Sequence, residues 1–165
     1  MSAVYWVVGS VALQRLVELV IARRNTARLM ASGAVEVAGD IYPALVLLHV
    51  LWLGSILIFA PSGAQPNWMW LAGYVALQGM RIWTMASLGR FWTTRLVSVP
   101  GAPIVRSGPY RFLRHPNYLV VAVEIALLPL VFGEYEISLL FTVLNALLLA
   151  RRIKVEDHAL ALRRE

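Results

Sequence analysis

Apolar residues along this chain gather into runs instead of alternating with polar ones. Long runs occupy residues 3–22, 42–60 and 68–88, and shorter ones occupy 119–132 and 137–150. A helix needs roughly 20 apolar residues to cross the hydrocarbon core of a bilayer, and the first three runs meet that length. The last two are separated only by Gly133-Glu134-Tyr135-Glu136 and read as a tight helical hairpin. Each is short for a span, so its polar flanks extend it or it sits in a thinned bilayer. Pro61, Gly63 and Pro66 mark a turn over 61–67 between the second and third runs. Trp68 and Trp70 enter the third run as interfacial aromatics.

Composition strengthens the membrane reading. The chain is 59% hydrophobic and only 15% charged, with a mean hydropathy of +0.68. A soluble domain is about 45–50% apolar and about 25% charged. The expected fold is therefore an all-α polytopic membrane protein of about five transmembrane helices, forming one domain over residues 1–165. Residues 1–9 carry no basic segment of the kind that opens a cleaved signal peptide. Cysteine is absent, which removes disulfides, thiolate nucleophiles and Cys-ligated metals. The histidines, at 49, 115 and 158, lack the spacing of a metal site, and none is expected.

The net charge of +6 has a pattern. Arg23, Arg24 and Arg28 follow the first run. Arg90, Arg95, Arg106, Arg111 and Arg114 lie between the third and fourth, and Arg151, Arg152, Lys154, Arg163 and Arg164 follow the fifth. The turns at 61–67 and 133–136 contain no Arg or Lys. With five spans, all three basic segments fall on one side, which the positive-inside rule makes the cytoplasm. An integral membrane location follows, the inner membrane if the source is bacterial, with anionic headgroups as partners of the basic segments. Nucleic acid is not expected, because the basic residues sit at the ends of apolar runs and form no domain of their own.

Two dense polar clusters frame the hairpin. The first reads Gly108-Pro109-Tyr110-Arg111-Phe112-Leu113-Arg114-His115-Pro116-Asn117-Tyr118, and the second Arg151-Arg152-Ile153-Lys154-Val155-Glu156-Asp157-His158. Pro116 suits the first turn of a helix, where its missing N–H costs nothing. His115 then stands at the helix entrance, with Tyr118 about one turn on. Arg152 and Glu156, spaced i,i+4 on a continuation of the fifth helix, share a face. A tight turn makes the two helices antiparallel neighbours, so the clusters meet. The expected result is a cytoplasmic-side pocket of His, Tyr, Arg and Glu under apolar walls. Such a pocket suits a ligand carrying both charge signs and hydroxyls beside a lipophilic partner. The connection over 89–114 is long, and its Phe91, Trp92, Tyr110 and Phe112 predict packing beneath the bundle, partly as short helix.

These residues resemble the signature of the isoprenylcysteine carboxyl methyltransferase family. That signature runs Gly-Pro-Tyr, then Arg-His-Pro-x-Tyr, then a terminal pair of glutamates; here the second acid is Asp157. Phospholipid N-methyltransferases share a related pattern. The motif resemblance covers residues 89–160, and Arg15-Leu16-Val17-Glu18 with Arg23-Arg24-Asn25 and His49 also resembles a bacterial subgroup that O-methylates alkylpyrones or related lipids. The resemblance implies S-adenosylmethionine as cofactor and a lipophilic methyl acceptor entering from the bilayer. It implies Tyr110, Leu113, His115, Tyr118 and Glu156 around the cofactor, and Arg152 joins them through the face it shares with Glu156. Transfer to a carboxylate or enol oxygen would then rest on alignment and exclusion of water, with Arg90 and Arg95 as the arginines expected to orient the acceptor's anion. No Gly-x-Gly-x-x-Gly segment is present, which excludes a soluble Rossmann-type methyltransferase.

Other polar residues lie within the runs. Arg15 and Glu18 are expected to pair with each other near the cytoplasmic end of the first span. Arg81 and Glu124 are expected to pair or to line the acceptor's path. Asn145 reads as a contact between helices or with the acceptor, and His49 as a packed, hydrogen-bonded side chain. Two alternatives compete with O-methylation. One is N-methylation of a phospholipid or other amine. The other is a small transporter or scaffold using Arg15, Glu18, Arg81 and Glu124 as a polar path, against which stands the absence of paired broken helices or repeats.

Overall fold

The computed structural model describes residues 3–37, 41–61, 63–102 and 105–161, so Arg163 and Arg164 lie outside the described residues. Among these, five α-helices form where the apolar runs predict them: α1 (Ala3–Ala31), α2 (Ile41–Phe59), α3 (Trp68–Leu88), α4 (Pro116–Val131) and α5 (Tyr135–Ala161). By length and composition, α1 and α2 are able to cross a membrane, and α4 is a shorter apolar helix. The outer faces fit a lipid environment. Trp6, Leu13, Leu16 and Val17 of α1 and Leu139, Leu140, Val143 and Leu147 of α5 are exposed, and an apolar surface of that extent in water would drive association.

Helices α1 and α5 run beyond the apolar stretches that predict them. Past Ala22, α1 keeps one buried stripe, Ala22, Asn25 and Leu29, while Arg23, Arg24 and Arg28 face out. The helical period continues where the apolar run stops. Pro116 is the first residue of α4 and His115 its N-cap, as the sequence predicts. The turn into α5 closes at Gly133, φ +78°, a left-handed position that suits glycine. Pro129, near the end of α4, has no N–H to give the Ile125 carbonyl one turn back. The indole Nε1 of Trp52, fully buried in α2, donates to that carbonyl at 3.2 Å instead.

Contacts at the helix ends show how the chain alternates. The N-terminal end of α4 meets the C-terminal part of α5 through His115 and Asp157. Asn25 of α1 donates to the carbonyls of Gly89 and Trp92 just after α3, at 3.2 and 2.9 Å. Tyr42, at the start of α2, lies under Arg95. One end of the bundle thus gathers the basic residues of the C-terminal part of α1, of the connection after α3 and of the C-terminal part of α5. There the connection holds two 3-10 turns, Gly89–Phe91 and Gly108–Arg111, as its aromatic residues predict. It also holds a strand that periodicity did not reveal. β1 (Val35–Glu36) pairs antiparallel with β2 (Val97–Ser98), Val35 opposite Ser98. Two residues are too few to show an alternating pattern. Gly108 has φ +57°, and a Cβ there would lie 2.0 Å from Ser87 Oγ and 3.1 Å from Trp83 Nε1. Glycine lets this turn press against α3, and Tyr110 is carried in with it.

Charged side chains tie the bundle together internally. Glu18 of α1 accepts from Arg81 of α3 and from Arg15, and Glu124 of α4 accepts from Arg81 at 2.8 Å and Arg15 at 2.9 Å. Gln14 donates to Glu18 at 2.9 Å and Gln78 to Glu124 at 2.9 Å. The Arg15–Glu18 pair expected within the first helix is present, and so is the pairing of Arg81 with Glu124. The two pairs form one neutral lattice across α1, α3 and α4. Buried charges are tolerated when paired, and losing one partner leaves the others uncompensated. Arg81→Met is expected to cost about 3–5 kcal/mol, because both carboxylates lose their shared guanidinium. Thermal unfolding in detergent checks this; an unchanged midpoint would show that the lattice holds nothing together.

Candidate functional site

His115 occupies the N-cap position of α4, yet its side chain makes no capping bond. The imidazole turns instead to α5. Nδ1 lies 3.4 Å from Glu156 Oε2 and Nε2 lies 3.3 Å from Asp157 Oδ1. The Tyr118 ring stacks on it, centroids 5.3 Å apart and planes 14° from parallel. The Tyr118 hydroxyl donates to Glu156 at 2.5 Å and accepts from Arg152 Nε at 2.9 Å. Arg152 also donates through Nη2 to the Thr94 carbonyl at 2.8 Å. The cluster thus joins the start of α4, the end of α5 and the loop after α3. Glu156 holds the His115 imidazole above the usual histidine range through their hydrogen bond, with burial opposing and Asp157 adding to the effect. Tyr110 lies close enough to feel Glu156: burial first, and then that carboxylate, push its phenol above the usual range.

Beside the cluster is a cavity of about 290 Å³. Its wall is largely apolar, with Leu45, Val46, Val50 and Leu53 of α2, Leu16 of α1 and Leu149 of α5. Leu16 and Val50 are 60% and 61% exposed, so the cavity opens sideways between α1 and α2, where lipid would stand. Its inner end is polar, formed by Arg15, His49, Trp92, Asn117, Tyr118 and Arg152. Three of these carry polar atoms sealed from solvent with no partner among the described residues: Arg15 Nε, Trp92 Nε1 and Asn117 Oδ1. Such orphans are rare in folded proteins and invite a ligand or water.

The structure brings together His115, Tyr118, Arg152 and Glu156, with Tyr110 alongside. Leu113 takes no part in the cluster: its N–H bonds the Pro109 carbonyl at 3.0 Å, and its side chain is exposed. Arg90 and Arg95 do not line the cavity. Arg90 is exposed and lies over Phe91, 4.9 Å from the ring centroid. Arg95 bonds Glu36 at 2.8 Å and covers Tyr42, fastening the small sheet. Arg90 lies in the 3-10 turn after α3 and Arg95 in a bend beyond it, and no helical period extends to either. The arginines of the cavity wall are Arg15, Arg81 and Arg152. Sequence reasoning reads His49 as a packed side chain and Arg15 as the partner of Glu18, and so misses their place in the cavity wall; no local pattern signals it.

The model of the isoprenylcysteine carboxyl methyltransferase family matches residues 69–162, which includes the whole polar cluster. The chain is 37% identical over 161 residues to the uncharacterized protein YpbQ of Bacillus subtilis, covering 94% of this chain and 96% of that one. It is 27% identical over 152 residues to an uncharacterized protein of Haemophilus influenzae, covering 89% and 88%. It is 28% identical over 110 residues to the nickel-cobalt-cadmium resistance protein NccN of Alcaligenes xylosoxydans xylosoxydans, covering 65% of this chain and 52% of that one. No solved structure matches the chain. With most of its length matched and the signature residues gathered in one cluster, the chain belongs to the isoprenylcysteine carboxyl methyltransferase family, membrane-bound methyltransferases that use S-adenosylmethionine.

Proposed function

We propose that this protein transfers a methyl group from S-adenosylmethionine to an oxygen, a carboxylate or an enol, of a lipophilic acceptor lying in the cavity. One observation carries the reading: Tyr118 and Arg152 belong both to the polar cluster and to the cavity wall. Groups that hold a charged cofactor and groups that enclose an apolar acceptor therefore share two side chains. The bundle crosses the membrane five times, with the cluster at the cytoplasmic face. The basic segments at that end of the bundle support this orientation.

The residues fit the cofactor. Glu156 and Asp157 are acceptors for an ammonium or for ribose hydroxyls, and Arg152 is a donor for a carboxylate. Trp92 Nε1 and Asn117 Oδ1, buried without partners among the described residues, offer a further donor and acceptor. S-adenosylmethionine supplies an electrophilic methyl on a sulfonium. The chain contributes alignment and a dry apolar wall, which raise the rate of an in-line displacement. Arg15 and Arg152, within the cavity wall, take the orienting role that the sequence assigns to Arg90 and Arg95. A transport path through Arg15, Glu18, Arg81 and Glu124 finds no support, since these four are spent on one another.

Glu156→Ala and His115→Ala are each expected to weaken binding of S-adenosylhomocysteine by about 10- to 100-fold, as loss of a charged hydrogen bond does. Calorimetry on detergent-purified protein measures this, with thermal melts to show that both variants fold. Undiminished affinity in both would remove the cofactor from this cluster. Radiolabelled methyl transfer into membrane lipids then identifies the product, a methylated amine pointing to N-methylation.

The His115 pair also predicts a pH dependence of the ligand-free protein. Its pKa is raised on folding, so its contribution to stability is complete below the unfolded value of about 6.5 and is lost as pH rises through the folded one. Melting temperature is expected to fall as pH rises above the unfolded value of about 6.5, and the part of that slope due to this pair is expected to vanish in His115→Gln. A slope identical in the variant would contradict the assignment.

A further inference from the structure

His49 stands in the cavity wall on α2. Its Nδ1 lies 2.8 Å from the Leu45 carbonyl one turn back. A carbonyl only accepts, so Nδ1 carries the hydrogen, and in a neutral imidazole Nε2 is left with a lone pair. Nε2 has no partner among the described residues and is not among the polar atoms sealed from solvent. His49 is part of the cavity wall, and Nε2 is the nitrogen it has free to offer there. The Trp52 ring meets the imidazole edge-on, centroids 6.1 Å apart, and fixes its plane.

No other group in the wall offers a base so readily. The ionisable neighbours there are Arg15, Glu18, Tyr42, Arg81, Tyr118 and Arg152. Both Glu18 oxygens already accept, from Gln14, Arg15 and Arg81. The Tyr118 hydroxyl is engaged with Arg152 and Glu156. The arginines are cations and have no lone pair to give.

We propose that His49 is the general base of this enzyme, and that the acceptor oxygen arrives protonated, as a neutral phenol- or enol-type hydroxyl. This rests on the reading that the cavity holds the methyl acceptor. The acceptor's O–H bond breaks, an N–H bond forms at Nε2, and the oxygen keeps the electron pair. That pair forms the new bond to the methyl carbon, while the carbon–sulfur pair goes to the sulfur of the sulfonium donor. The imidazolium returns its proton to water as the methyl ether leaves. Arg15, in the same wall, favours the charge that develops on oxygen. A carboxylate acceptor, already ionised, would leave this lone pair without a task.

The test uses the full chain in micelles, isotopically labelled at its histidine nitrogens, with His49→Gln to assign the signals. The probes are para-dodecylphenol and dodecylbenzene, which share a chain and differ by one hydroxyl. Binding of each is followed independently through the methyl signals of Leu45 and Val46. In the ligand-free protein, the His49 signals are expected to show hydrogen on Nδ1 and none on Nε2. The phenol is expected to shift the Nε2 signal toward its hydrogen-bonded position, and dodecylbenzene to leave it in place. His49→Gln is expected to keep its S-adenosylhomocysteine affinity within about twofold while methyl transfer to the phenol falls by about 100-fold or more. Hydrogen on Nε2, an unmoved Nε2 at saturating phenol, or no binding of the phenol would each overturn the proposal. S-adenosylhomocysteine separates the two readings. If it still binds while Nε2 stays unmoved, His49 alone is displaced; if it fails to bind folded wild type, the proposed function falls and this proposal with it.

Discussion

Four charges buried between α1, α3 and α4 cancel one another, and the position of the cavity follows from how they do so. Glu18 and Glu124 share Arg15 and Arg81, so three helices are held at one depth by partners that have no substitute in an apolar surround. Charged groups inside a membrane protein are costly unless matched in this way. With these helices fixed, α2 leans on α1 and α5, and the space left at its inner face is the cavity. Arg15 belongs to both: it closes the lattice and lines the cavity. The lattice therefore supports the fold and also places two of its guanidinium groups, those of Arg15 and Arg81, in the cavity wall.

The second constraint is the α4–α5 hairpin. Gly133 turns the chain back sharply, and Pro116 fixes where α4 begins. Together they bring His115 level with Glu156 and Asp157. The side chains there stack and bond in series, from Asp157 through His115 to Glu156, Tyr118 and Arg152. Arg152 then reaches the loop after α3, whose Trp92 is held by Asn25 of α1. The polar cluster is built on helix ends and braced by a loop, so its geometry is set before any ligand arrives. Such preorganisation is the chief means by which a displacement reaction is accelerated without acid–base work on the donor.

Much of this was legible in the sequence. The five helices follow from five apolar runs, and the meeting of the two clusters follows from a four-residue turn and an i,i+4 pair. Both are local patterns of helices, where period and length speak directly. The reading weakened where the chain leaves helices. Arg90 and Arg95 read as the arginines that orient the acceptor, but Arg90 sits exposed in a 3-10 turn and Arg95 is held by Glu36 and Tyr42. The partners of Arg15 were visible only as far as Glu18, three residues on; the roles of Arg81 and Glu124 depend on the packing of separate helices. His49 looked like a packed histidine, and by Nδ1 it is one. Only its place in the cavity wall, a tertiary fact, gives its other nitrogen further meaning.

The cluster of His115, Tyr118, Arg152 and Glu156 is proposed to hold the cofactor at the polar inner end of an apolar acceptor cavity. The most direct measurement is an experimental structure of the full chain in lipid or detergent with S-adenosylhomocysteine at saturation. Ligand density is expected among these four side chains, with the sulfur on the Tyr118 side, facing the cavity. Density at another surface, or none in a preparation shown by calorimetry to bind, would contradict the proposal.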